Sequence, residues 1–197
     1  MGKYVNPIRS KQERQMLLDA LREQSERNYC LGLTGMITGL RISDLTLLTV
    51  RHIRSCKKEK DRNNNTFYIL NVTEKKTNKE REIYISKPRY DELYEYCKNK
   101  PAYEYLFKSR NGRNKKLSER QASRIIKEAA ERIGIEYDVS SHSLRKSYAY
   151  DIYTNTKDIN LVADILQHTN TTVTRRYIGI DKEARYKASI HTCNSII

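Results

Sequence analysis

No stretch of this sequence approaches the length of an apolar membrane span. Its first residues, Met1-Gly-Lys-Tyr-Val-Asn6, lack the apolar segment that directs secretion, and Asn6 stands where a myristoylation signal needs serine or threonine. Cysteine is sparse and scattered: Cys30, Cys56, Cys97 and Cys193 form no Cys-x-x-Cys pair and have no histidine at ligand spacing. They read as reduced thiols, some filling the core, and not as a zinc site. No internal repeat or low-complexity tract interrupts the chain. These absences lead to the expectation of a soluble intracellular protein. Negative charge is the other shortage, with 24 Asp plus Glu against 38 Lys plus Arg and a formal charge of +14. An excess of this size favours a polyanionic partner through phosphate neutralisation and counterion release, although a basic protein without such a partner has the same composition.

What is present divides the chain by texture. Ser10 with Glu13 sets up a capping box, and Met16, Leu17, Ala20 and Leu21 recur at helical spacing, so residues 10–27 are predicted helical. A second apolar segment over 29–38 runs into Thr38-Gly39-Leu40-Arg41. Gly39 suits a helix end or tight turn, leaving Arg41 in a connector before a short helix near 43–48 that Ser43 can cap. Residues 52–56, 66–73 and 81–85 are rich in β-branched and aromatic side chains and are predicted strands. The charged, Asn-rich stretch 57–65 is a predicted surface loop, and 74–80 the tip of a hairpin. Helical spacing returns near 88–99, 118–133, 142–154, 158–167, 171–179 and 182–190, with a basic loop at 110–116. The whole, 1–197, reads as one α+β domain, mostly α-helical with one small three-stranded antiparallel sheet.

Against this frame, several residues stand in a suggestive order. His142 and Arg145 lie three apart at the start of a predicted helix, behind Ser140 and Ser141, which can cap it. They share a face, and a helix N-terminus favours an anion, though a surface His and Arg on an ordinary helix would look the same. His168 closes one helix, and Tyr177 follows nine residues later, behind Arg175 and Arg176. Among fifteen tyrosines, Tyr177 gains meaning only from that spacing and from the cationic residues upstream.

Taken together, Thr38-Gly-Leu-Arg-Ile-Ser-Asp-Leu45, Lys75-Lys-Thr77, His142-Ser-Leu-Arg145, Leu166-Gln-His168 and Thr174-Arg-Arg-Tyr-Ile178 resemble the catalytic domain of the tyrosine recombinase (phage integrase) family over about residues 10–190. The resemblance implies a site-specific recombinase that cleaves and rejoins double-stranded DNA through a covalent 3′-phosphotyrosyl intermediate, without metal, ATP or other cofactor. Arg41 and Arg145 would clamp the scissile phosphate with planar forks suited to its oxygens. His142 and His168 would hydrogen-bond it or carry protons, and Tyr177 would be the nucleophile. Lys76 would protonate the departing 5′ oxygen; it is preferred to its neighbour Lys75 because it directly precedes Thr77. Asp44 matches an acidic position that orients the first arginine, and equally suits the dipole of a helix N-terminus. The resemblance also implies a tetramer on paired sites, accessory DNA-bending proteins, a role in mobile-element or phage integration and excision, and a cytoplasmic, nucleoid-associated location in a bacterium.

Some positions depart from the family pattern. Gln167 stands where glycine usually precedes the second histidine, and Asn155-Thr156 replaces a glycine at the preceding helix end, where asparagine can adopt the left-handed conformation. Only about forty residues precede Arg41, so the upstream DNA-clamping domain is expected to be absent and DNA binding to be weaker and more salt-sensitive. The tail 181–197 either docks on a neighbouring protomer or folds on its own domain. The alternatives are a type IB topoisomerase, which shares the chemistry, and a catalytically silent DNA-binding accessory protein with the same fold.

Overall fold

The computed structural model describes residues 5–180 together with 186, 189 and 190. Helix α1 spans Lys11–Gln24, with the Ser10 hydroxyl accepting from the Glu13 amide. Its buried face is Leu17, Leu18, Ala20 and Leu21, while Met16, expected in that stripe, is exposed. Ser25 ends α1 and caps α2, Glu26–Thr38, whose sides are nearly all buried. Gly39 closes α2 at φ 59°, ψ 23°, in the left-handed region that glycine adopts without steric cost. A short α3, Ile42–Leu45, follows with Arg41 at its N-cap. It starts one residue before the expected Ser43 cap, and no side chain caps it.

The stretch 52–56, expected as a strand, is instead part of helix α4, Val50–Arg54. Thr49 caps it and its amide donates to His52 Nδ1 at 3.0 Å, while Val50 and Ile53 share the buried side. The local capping pattern thus outweighs the β-branched composition. The first strand, β1, is Lys57–Lys60, inside the stretch expected as a loop. It pairs antiparallel with β2, Thr66–Glu74, which pairs antiparallel with β3, Lys79–Ser86, in the order β1-β2-β3. Its three lysines line an edge, where charge discourages further strand pairing. Alternation puts Leu70, Val72 and Glu74 of β2 on the same inward face as Arg81, Ile83 and Ile85 of β3.

Helices α5, Lys87–Cys97, and α6, Glu119–Arg132, complete the main layer, the latter through Ala122, Ile125, Ile126, Ala129 and Ala130. Then come α7, Ser141–Thr156, α8, Ile159–Leu166, and α9, Thr171–Ile178. The left-handed residue that ends α7 is Lys157, at φ 58°, rather than Asn155. Two apolar clusters result. The larger joins α1, α2, α4, α5, α6 and the sheet; the smaller consists of Ala149, Val162, Leu166, Ile178 and Ile180, with Tyr177 packed against it. Helix α7 belongs to both, with Leu144 in the first and Ala149 in the second. The expected helix 182–190 and tail 181–197 fall outside the described residues except for Tyr186, Ser189 and Ile190, which are helical.

Candidate active site

Arg41 is delivered by the left-handed turn at Gly39. A methyl group on that glycine would lie 2.3 Å from Tyr148 Cδ1, so both the backbone angle and the close approach of α7 require the bare Cα. The Arg41 guanidinium donates to Glu74 Oε2. Glu74 is fully buried at the end of β2 and is shared: Arg81 Nη1 donates to its Oε1 at 3.2 Å, and Arg145 Nη1 stands 3.9 Å from the same oxygen. One carboxylate therefore faces three guanidiniums, a local excess of positive charge.

Arg145 also holds two helix ends together. It donates to the Gly39 carbonyl at 2.6 Å and to the Leu166 carbonyl at 2.9 Å, satisfying acceptors left over at the C-termini of α2 and α8. Burial lowers its pKa to about 10, with Arg41 and Arg81 adding to the shift, so it remains charged at neutral pH. This single side chain ties the main body to the small cluster that carries His168 and Tyr177.

His168 and Tyr177 meet edge-on, with ring centroids 5.2 Å apart. The Thr174 hydroxyl donates to the Asn170 carbonyl at 3.3 Å and so accepts from His168 Nδ1 at 2.9 Å. That assignment leaves the lone pair on Nε2. Burial, then Arg145 and Arg41, push the His168 pKa down to about 4, so the ring is neutral at pH 7. Tyr177 is half-buried, and desolvation raises its pKa against the opposing pull of Arg145 and Arg41. The Lys146 ammonium lies 4.9 Å from its ring centroid, and burial lowers that lysine's pKa to about 8.

The remaining expected residues are more loosely placed. His142 occupies the first turn of α7, exposed; desolvation, then Lys146 and Arg145, lower its pKa. Lys76 and Lys75 are both exposed at the hairpin tip between β2 and β3. Asp44 does not pair with Arg41. Its Oδ1 accepts the Lys75 amide at 2.9 Å, and its Oδ2 is buried with no hydrogen-bond partner. The structure thus gathers Arg41, Arg145, His168 and Tyr177, keeps His142 beside Arg145 on α7, and suspends Lys76 on a tethered loop. Among the described residues no three His, Cys, Asp or Glu side chains cluster to hold a metal ion, and no helix is long and apolar enough to cross a membrane. A concavity of about 540 Å³ beside α6, lined by residues including Lys127, Glu131 and Tyr137, is separate from this cluster.

Sequence reasoning missed Glu74, Arg81 and Lys146, and singled out Gln167 only as a departure from the family's glycine. The first two were readable from strand alternation, since Glu74 and Arg81 continue the inward faces begun by Leu70 and Ile83, where an unpaired charge is costly. Lys146 directly follows the His-Ser-Leu-Arg motif, and nothing local distinguishes it from a solvated lysine.

Comparison with known proteins gives the family and the fold. The Phage integrase family profile matches residues 8–184. The probable integrase/recombinase YoeC of Bacillus subtilis (strain 168) is 40% identical over 186 residues, covering 93% of this chain and 96% of its own. A crystal structure of XerA recombinase superposes with a TM-score of 0.71 at 23% identity, covering 97% of this chain and 65% of that one. The XerH site-specific recombinase bound to its palindromic difH substrate gives 0.65 at 21% identity, over 95% of this chain and 53% of that one. This chain therefore matches nearly all of YoeC but only about half to two thirds of the two solved recombinases. The chain belongs to the phage integrase family and is a tyrosine recombinase.

Proposed function

We propose that this protein cleaves and rejoins DNA at specific sites, with Tyr177 attacking phosphorus to form a 3′-phosphotyrosyl link. The observation that carries the reading is the convergence of two guanidiniums, Arg41 and Arg145, and a neutral imidazole, His168, about a half-buried phenol. In the attack the Tyr177 oxygen bonds to phosphorus, and the bond to the 5′ oxygen breaks. Arg41 and Arg145 stabilise the added negative charge as it develops. The phenol is protonated at neutral pH, and the Nε2 lone pair of His168 is a nearby acceptor for its proton. Lys76 supplies the proton for the departing 5′ oxygen from its hairpin. The phosphotyrosyl ester preserves the bond energy, so a second 5′ hydroxyl reverses the step without ATP.

Glu74 gives the site a resting counter-charge. Its carboxylate offsets the cost of burying the guanidiniums of Arg41 and Arg145 together before DNA arrives, and a phosphate entering between them then shares or replaces it. Because each chain supplies one such nucleophile and exchange between two duplexes requires four cuts, the assembly is a tetramer on paired sites. The +14 charge supports a DNA partner. Integration or excision of a mobile element is the setting we propose; the likeness to YoeC, a probable integrase/recombinase, supports it only as far as integration or recombination.

The test starts from duplexes recovered by binding selection from a random pool, rebuilt as nicked suicide substrates. A denaturant-resistant protein–DNA adduct is expected with the wild-type chain and none with Tyr177→Phe. Supercoiled plasmid relaxed without exchange between two sites would instead favour a swivelling topoisomerase.

A further inference from the structure

The geometry points to Gln167 as a positioning residue: its side chain latches the lysine hairpin to the α8–α9 turn and so sets where Lys76 can deliver its proton. The inference rests on the reading of Lys76 as the general acid.

Gln167 ends α8 at φ 52°, ψ 44°, the left-handed region that a residue bearing a Cβ enters only at a steric cost. The backbone alone would be better served by glycine. The side chain does something glycine could not: its Oε1 accepts from Thr77 Oγ1 at 2.6 Å, across ninety positions of sequence. Thr77 directly follows Lys76. On the other side Lys75 is held by its amide to Asp44 Oδ1 at 2.9 Å. Lys76 is therefore bracketed by two tethers, one to α3 and one to the end of α8, in a tip where Lys75, Lys76 and Asn78 are otherwise exposed. The second tether attaches next to His168, on the segment that leads to Tyr177. It couples the acid for the leaving group to the nucleophile, on opposite sides of the reacting phosphorus.

The step this coupling serves is balanced in bonds and protons. The Tyr177 oxygen gains a bond to phosphorus as its proton passes to the Nε2 lone pair of His168, the phosphorus–5′ oxygen bond breaks, and the leaving oxygen takes a proton from the Lys76 ammonium, which becomes an amine. If the bridging 5′ oxygen is replaced by sulfur, the leaving thiolate is stable without a proton. Defects in acid placement then disappear, while defects in folding, DNA binding or nucleophile placement persist.

The experiment uses the full chain and the nicked suicide duplex in two forms, 5′-oxygen and 5′-sulfur. Gln167→Gly and Thr77→Val are expected to melt at or near the wild-type temperature and to cleave the oxygen substrate at least tenfold more slowly. On the sulfur substrate both should come within about twofold of wild type. Thr77→Ser, which keeps the donor, should retain the oxygen-substrate rate. Lys76→Ala is the reference and should show a larger oxygen-specific loss. If Lys76→Ala loses equally on both substrates, the general-acid reading fails and the latch with it. If Lys76→Ala is rescued by sulfur but Gln167→Gly is not, or if Gln167→Gly cleaves the oxygen substrate at the wild-type rate, the latch alone is overturned.

Discussion

Tyr177, His168 and Arg145 show how position decides what an ordinary side chain can do. Desolvation keeps the phenol protonated and the imidazole neutral, and the guanidiniums of Arg145 and Arg41 lower both pKa values, opposing desolvation at the phenol and reinforcing it at the imidazole. This has a consequence for stability. His168 has a pKa of about 4 in the folded chain, against an ordinary value of 6.5. The unfolded chain binds the proton more readily, so the neutral ring's contribution is intact above about pH 6.5 and is lost as pH falls toward 4. His168→Asn is expected to flatten the fall of melting temperature across that window, leaving the smaller slope due to His142 and His52, whose pKa values burial also lowers. An unchanged acid slope in the variant would show that the ring is not held neutral. At this scale the sequence was informative where the residues that the fold brings together sit in short motifs: Arg41 in Thr-Gly-Leu-Arg, Arg145 in His-Ser-Leu-Arg, His168 and Tyr177 through their spacing. It was silent on the counter-ion of Arg41. Asp44 lay near it in sequence, but the partner, Glu74, comes from a strand thirty-three residues away.

Elements place these residues through their ends more than their middles. Arg41 follows the C-cap of α2, Arg145 fills the carbonyls at the ends of α2 and α8, and Gln167 is itself a C-cap. Gly39 is the clearest case, because it has both a left-handed φ of 59° and Tyr148 within reach, whereas Gly134, at φ 77°, has open space around its Cα. Gly134→Ala is expected to cost about 1 kcal/mol for the backbone angle alone. Gly39→Ala should cost a further 1–3 kcal/mol or so, from forcing Tyr148 aside. Urea melts of the two variants measure the difference, and equal losses would mean that α7 does not press on this turn. The same reliance on ends explains where sequence reading of elements went astray. Helix α4 was hidden because residues 52–56, with Ile53, read as a strand, and the local Thr49–His52 capping pair that fixes the helix was not weighed against that composition. Strand β1 was hidden because an edge strand of lysines and a glutamate has the composition of a loop. The count of three antiparallel strands was right, but the identity of the first was not.

On the scale of the whole molecule, the two apolar clusters divide the labour. The larger one fixes Arg41 and Glu74; the smaller, built on only five fully packed residues, carries Tyr177, the proposed nucleophile, and is bound to the rest through α7 and Arg145. A small cluster of this kind opens at lower free energy than the main core, which suits the proposed role of a segment that adjusts around DNA. The excess of positive charge acts over the same scale. If the chain neutralises about six phosphates, its affinity for duplex DNA should fall roughly 10³-fold between 50 and 200 mM salt. Fluorescence anisotropy with a labelled duplex measures this, and an affinity indifferent to salt would contradict a binding mode dominated by phosphate contacts. The central claim is that one oxygen among fifteen tyrosines becomes joined to a 3′ phosphate. Trypsin cuts after Arg176 and Lys182, isolating Tyr177 in a peptide with no other tyrosine. Mass spectrometry of the digested adduct, made with a 3′-phosphate-labelled suicide substrate, should find the label on that peptide; a label on any other tyrosine, or on the 5′ side of the break, would contradict the account.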